Sequence, residues 1–210
     1  MKNIFLTSAV SYVAHDIPRH LTVKPNKLRL LFIDTAAEVE TGDKQWLKDD
    51  RKSLVKAGFN VEDYTFTGKK KDQVKKDLEN YDVLYMSGGN TFYLLQQMQK
   101  CGALSVVKEL VKNGKIYIGT SAGSIIAGSD TSLFQYADNV LDAPELKGFK
   151  GLEFVDFTIF PHWGSEDFKD VYLREIMKQS YQEKNKIILL NNYQYVVVDN
   201  GWFQIVDVRD

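Results

Sequence analysis

Between the apolar run Ile116-Tyr117-Ile118 and the run Ser124-Ile125-Ile126-Ala127 the chain carries Gly119-Thr120-Ser121-Ala122-Gly123. This is G-x-S-x-G set directly between a predicted strand and a predicted helix, the context that a nucleophile elbow requires. The physical demands are specific. The serine must project from a sharp turn, so its backbone is forced into a sparsely populated conformation. Its neighbours must be small because strand and helix approach each other there, and Gly119, Ala122 and Gly123 meet that demand. The serine then stands at the positive end of the following helix, where developing negative charge is stabilised. As a bare string the motif also fits a tight turn that simply needs small residues. The strand before it and the helix after it favour the nucleophile.

The flanking sequence supplies a framework for such an elbow. Asn3–Leu6 and Leu28–Asp34 read as strands. Asp43–Ala57 places Trp46, Leu47, Leu54 and Val55 at helical spacing and stops at Gly58. Phe59–Tyr64 alternates as a strand, and Lys70–Tyr81, with Val74 and Leu78 four apart, predicts an amphipathic helix. Val83–Met86 is a short buried strand ending at Gly88-Gly89. Thr91–Gln99 and Leu104–Asn113 read as one helix broken at Cys101-Gly102, or as two. Phe157–Phe160 reads as a strand that stops at Pro161-His162, and Phe168–Gln182 as a helix with Val171, Ile176 and Tyr181 facing inward. Lys186–Leu190, Tyr195–Val198 and Trp202–Val206 read as strands, the last two a hairpin turned by Asp199-Asn200-Gly201. Strand and helix alternating at this spacing predict an α/β fold, a mostly parallel sheet covered on both faces with a C-terminal β-hairpin. No linker tract or repeat divides the chain, so residues 1–210 are expected to form a single domain.

Composition narrows the function classes. Apolar residues at 44% and charged residues at 26% exclude a disordered chain. Lys plus Arg at 27 against Asp plus Glu at 28 leaves a net charge of -1, which speaks against a nucleic-acid coat. The run Lys69-Lys70-Lys71 reads as a solvated helix start. The lone Cys101 can form neither an internal disulfide nor a thiolate metal site. Gly88-Gly89-Asn90 lacks the later glycine of a dinucleotide loop, and no G-K-[ST] is present. The N-terminal apolar stretch is too short for a signal peptide, and no run of about 18 apolar residues exists. A soluble, cytoplasmic protein with neither membrane nor nucleic-acid partner is expected.

A nucleophilic serine needs a base. Of three histidines, His15 and His20 fall in a polar N-terminal segment, whereas His162 leaves the end of an apolar strand. Ligands of open parallel sheets bind at the carboxyl ends of strands, so His162 is the candidate to face Ser121. A carboxylate should hold the imidazole tautomer. Asp130, Asp138, Asp142, Glu145, Glu153 and Asp156 lie between the two, and spacing does not choose among them. A second oxyanion donor is expected from Ser87-Gly88-Gly89-Asn90-Thr91, where paired glycines let backbone approach a carbonyl. Asn90 or Thr91 can also cap the helix that follows.

Ser87–Gln97 (SGGNTFYLLQQ), Tyr117–Gly128 (YIGTSAGSIIAG) and the later Phe160–Trp163 (FPHW) resemble, in this order, the peptidase E family of serine peptidases, family S51. The resemblance extends from Met1 to about Val206. It implies a flavodoxin-like three-layer sandwich of the class I glutamine-amidotransferase type. It implies peptidase activity on short peptides, in the best-known members release of N-terminal aspartate from dipeptides. The family's nucleophile falls on Ser121, its histidine on His162, its acid by position on Asp138, and its oxyanion donors on the backbone of Gly89 and Ala122. No metal or organic cofactor is implied. Asn90 and Lys169 are the substrate-binding candidates.

The match has departures. The flanks of Asp138, in SLFQYADNV, differ from the family pattern. Family aspartyl dipeptidases read aspartate with an arginine after the histidine. Here the segment is Gly164-Ser165-Glu166-Asp167-Phe168-Lys169-Asp170, with Lys169 its only cation. A lysine is a point charge rather than a bidentate fork, which argues against strict aspartate specificity. The expected activity is therefore a serine peptidase acting on short peptides, as a monomer or homodimer. An esterase with the same triad and a non-catalytic binding protein that kept the elbow are the alternatives. A glutamine amidotransferase is disfavoured because its elbow nucleophile would be cysteine.

Overall fold

A computed structural model describes residues 4–181, 186–199 and 201–209. Asn3, Gln182 and Asn200, placed by the sequence in a strand, a helix and a turn, lie outside the described residues. Nine strands are described: β1 (Ile4–Thr7), β2 (Arg29–Ile33), β3 (Asn60–Tyr64), β4 (Val83–Met86), β5 (Ile116–Thr120), β6 (Phe157–Phe160), β7 (Lys186–Leu189), β8 (Gln194–Asp199) and β9 (Trp202–Asp207). Seven of them form one sheet in the order β3-β2-β4-β5-β1-β8-β9. The first five run parallel, and β8 and β9 close the far side as an antiparallel hairpin.

Side-chain alternation along these strands builds a layer on each face. Ile4, Leu6, Leu31, Ile33, Leu84, Met86 and Tyr117 point into one core, against α3 (Lys71–Glu79), α4 (Thr91–Lys100) and α5 (Ala103–Lys112). Their neighbours Phe5, Leu30, Phe32, Val83, Tyr85, Ile116 and Ile118 point into the other, against α1 (Val10–Val13) and α2 (Gln45–Lys56). The result is the expected α/β three-layer sandwich of flavodoxin-like type. The two helices predicted on either side of Cys101 are separate, because Gly102 adopts φ 70° between them. No helix among the described residues is long and apolar enough to cross a membrane.

Three elements differ from expectation. β6 does not join the main sheet; with β7 it forms a separate two-stranded parallel sheet. The predicted helix 168–182 starts earlier, as α7 (Glu166–Val171), passes through a π turn at Tyr172–Ile176 and ends as α8 (Met177–Ser180). That added residue in the turn shifts the face, so Tyr172 and Ile176 are buried while Tyr181 is 91% exposed. In α2, Leu54 is buried and Val55 faces outward, while Trp46, 38% exposed, reaches toward Gly88.

Candidate active site

Ser121 sits between β5 and the short helix α6 (Ala122–Ile125), at φ 48° and ψ −110°. A non-glycine residue at positive φ is held there only by its surroundings. Those surroundings are the small residues the motif supplies. A Cβ on Gly119 would lie 2.5 Å from the carbonyl oxygen of Gly123, and one on Gly123 would lie 2.2 Å from that of Met86. Only glycine permits the helix to leave β5 so abruptly. The main-chain N–H of Ser121 continues the β1–β5 ladder by donating to Thr7 O at 3.1 Å. Ser124 anchors the helix, its hydroxyl donating to the carbonyl oxygens of Thr7 and Gly119.

The imidazole of His162 meets this serine, with Nε2 3.0 Å from Ser121 Oγ. His162 leaves the carboxyl end of β6 with φ 59°, a second strained non-glycine residue. The ring of Phe168 stacks on it at 4.7 Å between centroids, tilted by 19°. Burial pulls the imidazole below its ordinary value of 6.5, partly offset by a hydrogen bond to Asn192 and the charge of Asp167. A base that stays neutral in a half-buried site suits proton abstraction at neutral pH.

The group on the far nitrogen is the amide of Asn192: its Oδ1 lies 2.9 Å from His162 Nδ1. Topology brings the two together. β6 and β7 are parallel partners, Phe160 opposite Leu189, and Trp163 N–H donates to Leu190 O just beyond. His162 and Asn192 therefore leave neighbouring strand ends side by side. Ser8, one residue past β1, joins them. His162 N–H donates to Ser8 Oγ at 2.6 Å, and the Ser8 hydroxyl donates to Asn192 Oδ1 at 2.9 Å.

Asp138, expected on the imidazole, is elsewhere. Its Oδ2 accepts the main-chain N–H of Thr91 at 2.9 Å, the first amide of α4. The next two amides, Phe92 and Tyr93, donate to Asn90 Oδ1, so Asp138 and Asn90 together satisfy the helix start. The Asn90 amide nitrogen is spent on Asn139 O and Asp142 Oδ2. Asn90 is thus a helix cap whose polar atoms are already bonded within the chain. Burial raises the Asp138 carboxyl to about 6. Lys169 is exposed and pairs with Glu166 at 3.2 Å. It lines a cavity of about 210 Å³ with Trp163 and Tyr172, and Ser121 is not among the residues of that cavity.

The turn after β4 lies against the serine. A Cβ on Gly88 would come within 3.3 Å of Ser121 Cβ, 3.9 Å of its Oγ and 3.5 Å of the Trp46 ring. Gly89, at φ 118°, packs so closely on Ala36 that a Cβ would lie 2.3 Å from its carbonyl oxygen. Among the described residues the N–H groups of Gly88, Gly89 and Ala122 meet no acceptor, whereas those of Ser87, Asn90, Ser121 and Gly123 all do. Trp46 lies on α2, in the helix that the sequence predicts, and its ring reaches this turn beside Gly88. Sequence alone does not single out Asn192 or Ser8: a triad acid is expected among the carboxylates between Ser121 and His162, and the Asn191-Asn192 pair after an apolar strand reads as an ordinary turn.

The model for "Peptidase family S51" matches residues 7–206. An uncharacterized peptidase of Listeria monocytogenes is 30% identical over 200 residues, 94% of this chain and 95% of that protein. Peptidase E of Haemophilus influenzae is 30% identical over 170 residues, 78% of this chain and 74% of that one. A solved Listeria monocytogenes structure named for peptidase E superposes with a TM-score of 0.90 at 27% identity, covering 99% of both chains. A peptidase from an acI-B1 actinobacterium matches with a TM-score of 0.67 at 15% identity, a likeness of fold alone. The chain belongs to peptidase family S51 and is a serine peptidase.

Proposed function

We propose that this chain hydrolyses short peptides through an acyl-enzyme on Ser121, with His162 as base and Asn192 holding the imidazole. The observation that carries the reading is the 3.0 Å contact between Ser121 Oγ and His162 Nε2 at the strained elbow. Ser121 Oγ attacks the scissile carbonyl carbon while Nε2 takes the hydroxyl proton. The oxygen that becomes an anion is met by the N–H groups of Gly89 and Ala122, and the positive end of α6 supports the same charge. The C–N bond then breaks and Nε2–H passes its proton to the leaving amine. A water molecule, deprotonated by His162, releases the acyl group.

Asn192 differs from a carboxylate in one respect that matters to rate. It orients the imidazole and fixes its tautomer, but brings no negative charge to the imidazolium that forms. Aspartate selectivity is not part of the proposal. Of the described arginines that follow His162 in sequence, Arg174 pairs with Asp170 at 3.4 Å and Arg209 with Asp207 at 2.7 Å. Glu40 and Asp138 are both raised, chiefly by burial, with Asp142 adding its charge to Glu40 and Glu40 adding its charge to Asp138. Carboxylates gathered in this way disfavour a further acidic group beside them.

The test is a panel of dipeptides and tripeptides, with short esters alongside, given to the wild type and to Ser121→Ala. Peptide cleavage lost in the variant, with a fluorophosphonate adduct on Ser121 of the wild type, supports the reading. Ester cleavage alone would make the chain an esterase. An unlabelled Ser121 with no cleavage would leave the elbow as a packing feature.

A further inference from the structure

An amide, unlike a carboxylate, has an accepting end and a donating end. If Asn192 turned its NH₂ toward His162, Nδ1 would become the acceptor and the proton would reside on Nε2. An imidazole in that tautomer cannot take the Ser121 proton. The orientation of the Asn192 amide is therefore a condition of catalysis that an aspartate would satisfy automatically.

Ser8 supplies the asymmetry. It is fully buried at the end of β1. Its Oγ accepts the main-chain N–H of His162 at 2.6 Å, so the hydroxyl proton must go elsewhere. Asn192 Oδ1 stands 2.9 Å away, and the other polar atom in range, His162 Nδ1, is at 3.5 Å. With Oδ1 facing inward, the Ser8 hydroxyl and Nδ1–H both donate into one oxygen. With the amide reversed, Nδ2 would present protons to Ser8, whose own proton would exchange an acceptor at 2.9 Å for Nδ1 at 3.5 Å, the limit of hydrogen-bond range and already shared with Nδ2, at a buried site. The placement of Ser8 follows from register. Thr7 is opposite Thr120 in β1–β5 and opposite Tyr195 in β1–β8, so the residue after Thr7 lies between the elbow and the segment that precedes β8.

We propose that Ser8 is a positioning residue that selects the accepting face of Asn192 and thereby the Nδ1–H tautomer of His162. The catalytic part of this inference rests on the hydrolase reading above. The tautomer part does not.

The experiment compares wild type, Ser8→Ala, Asn192→Asp and the double variant, with Ser8→Cys as a packing-conservative second substitution. Ser8→Ala should lower kcat/KM at least about tenfold when Asn192 is present. In the Asn192→Asp background, where both carboxylate oxygens accept, the same change should cost no more than about twofold to threefold. Imidazole ¹⁵N spectra, with His162 assigned by its loss in His162→Gln, should show Nδ1–H alone in the wild type. Ser8→Ala and Ser8→Cys should bring in the Nε2–H form. An equal loss in both backgrounds, or an unchanged tautomer in the Ser8 variants, overturns the proposal and leaves Ser8 a structural anchor. If the wild type neither cleaves the peptide panel nor labels with fluorophosphonate, the hydrolase reading fails, and the ¹⁵N spectra still decide for or against Ser8.

Discussion

Asn192 Oδ1 lies 2.9 Å from Nδ1 of His162, at the place where an anionic partner would stabilise the imidazolium. An uncharged acceptor there orients the base without raising its proton affinity electrostatically. Asn192→Asp is therefore expected to raise the imidazole pKa and to increase kcat/KM about tenfold near neutral pH. Asn192→Leu should lower it by about 100-fold or more, since the ring loses its partner and the tautomer is no longer set. A pH–rate series on the three proteins checks both statements.

Asp138 gives the opposite expectation. Its carboxylate serves the first amide of α4 rather than the histidine. Asp138→Asn retains an oxygen for Thr91 N–H and should leave kcat/KM within about threefold of wild type. Were Asp138 the group that orients His162, the loss would be nearer about 10⁴-fold. Steady-state kinetics of this one variant separates the two roles.

These two residues show where the sequence was legible and where it was not. Ser121 could be read because its requirements are local: strand, small residues and helix are contiguous in the chain. His162 could be read because a polar residue after an apolar strand has few places to go. Asn192 could not, because its role depends on β6 pairing with β7 in a small sheet of their own, a long-range choice that strand patterning does not encode. Asp138 enters as the acid through the family resemblance alone, and Asn90 sits beside Gly88-Gly89, where the sequence already allows it to cap the next helix. The Asp138 oxygen goes to the first amide of α4, a need visible only once the helix start is placed against the segment 138–142.

The glycines around the elbow should divide by phenotype. A Cβ on Gly123 would sit 2.2 Å from the carbonyl oxygen of Met86, a collision with backbone that cannot relax cheaply. Gly123→Ala should lower the melting temperature severely or abolish soluble expression. A Cβ on Gly88 meets side-chain atoms of Ser121 and Trp46 at 3.3 and 3.5 Å. Gly88→Ala should fold with little change in melting temperature yet lose about tenfold or more in kcat/KM, because the added methyl crowds the approach to Ser121 Oγ. Paired thermal melts and kinetics distinguish them.

The acid limb of the activity profile should lie low. His162 must be neutral to accept a proton, and burial holds its pKa below 6.5. Lowering the pKa extends the active, neutral form toward acid, so kcat/KM should reach half its plateau below the ordinary imidazole value of 6.5. In Asn192→Asp the midpoint should move up. A wild-type midpoint above that value would contradict the balance of burial over compensation derived for this imidazole.

Asp50 links the sheet that carries the elbow to pH-dependent stability. It is 3% exposed on α2, and its carboxylate accepts from Tyr85 Oη at 2.9 Å and from Ser11 N–H at 3.1 Å. Burial outweighs these bonds and raises the carboxyl from 3.8 to about 6. The folded chain thus binds this proton more tightly than the unfolded one. The associated stability is fully present below the unfolded value, near about pH 4, and is lost as pH rises through about 6, a change of about 2–3 kcal/mol from this group. Asp50→Asn keeps an acceptor for Ser11, and the Tyr85 hydroxyl can accept from the new amide. Its melting temperature relative to wild type should therefore be higher at about pH 7 than at about pH 4.5. If the difference between variant and wild type is the same at both pH values, Asp50 does not titrate in this range, and the burial of its charge is compensated by groups other than Tyr85 and Ser11.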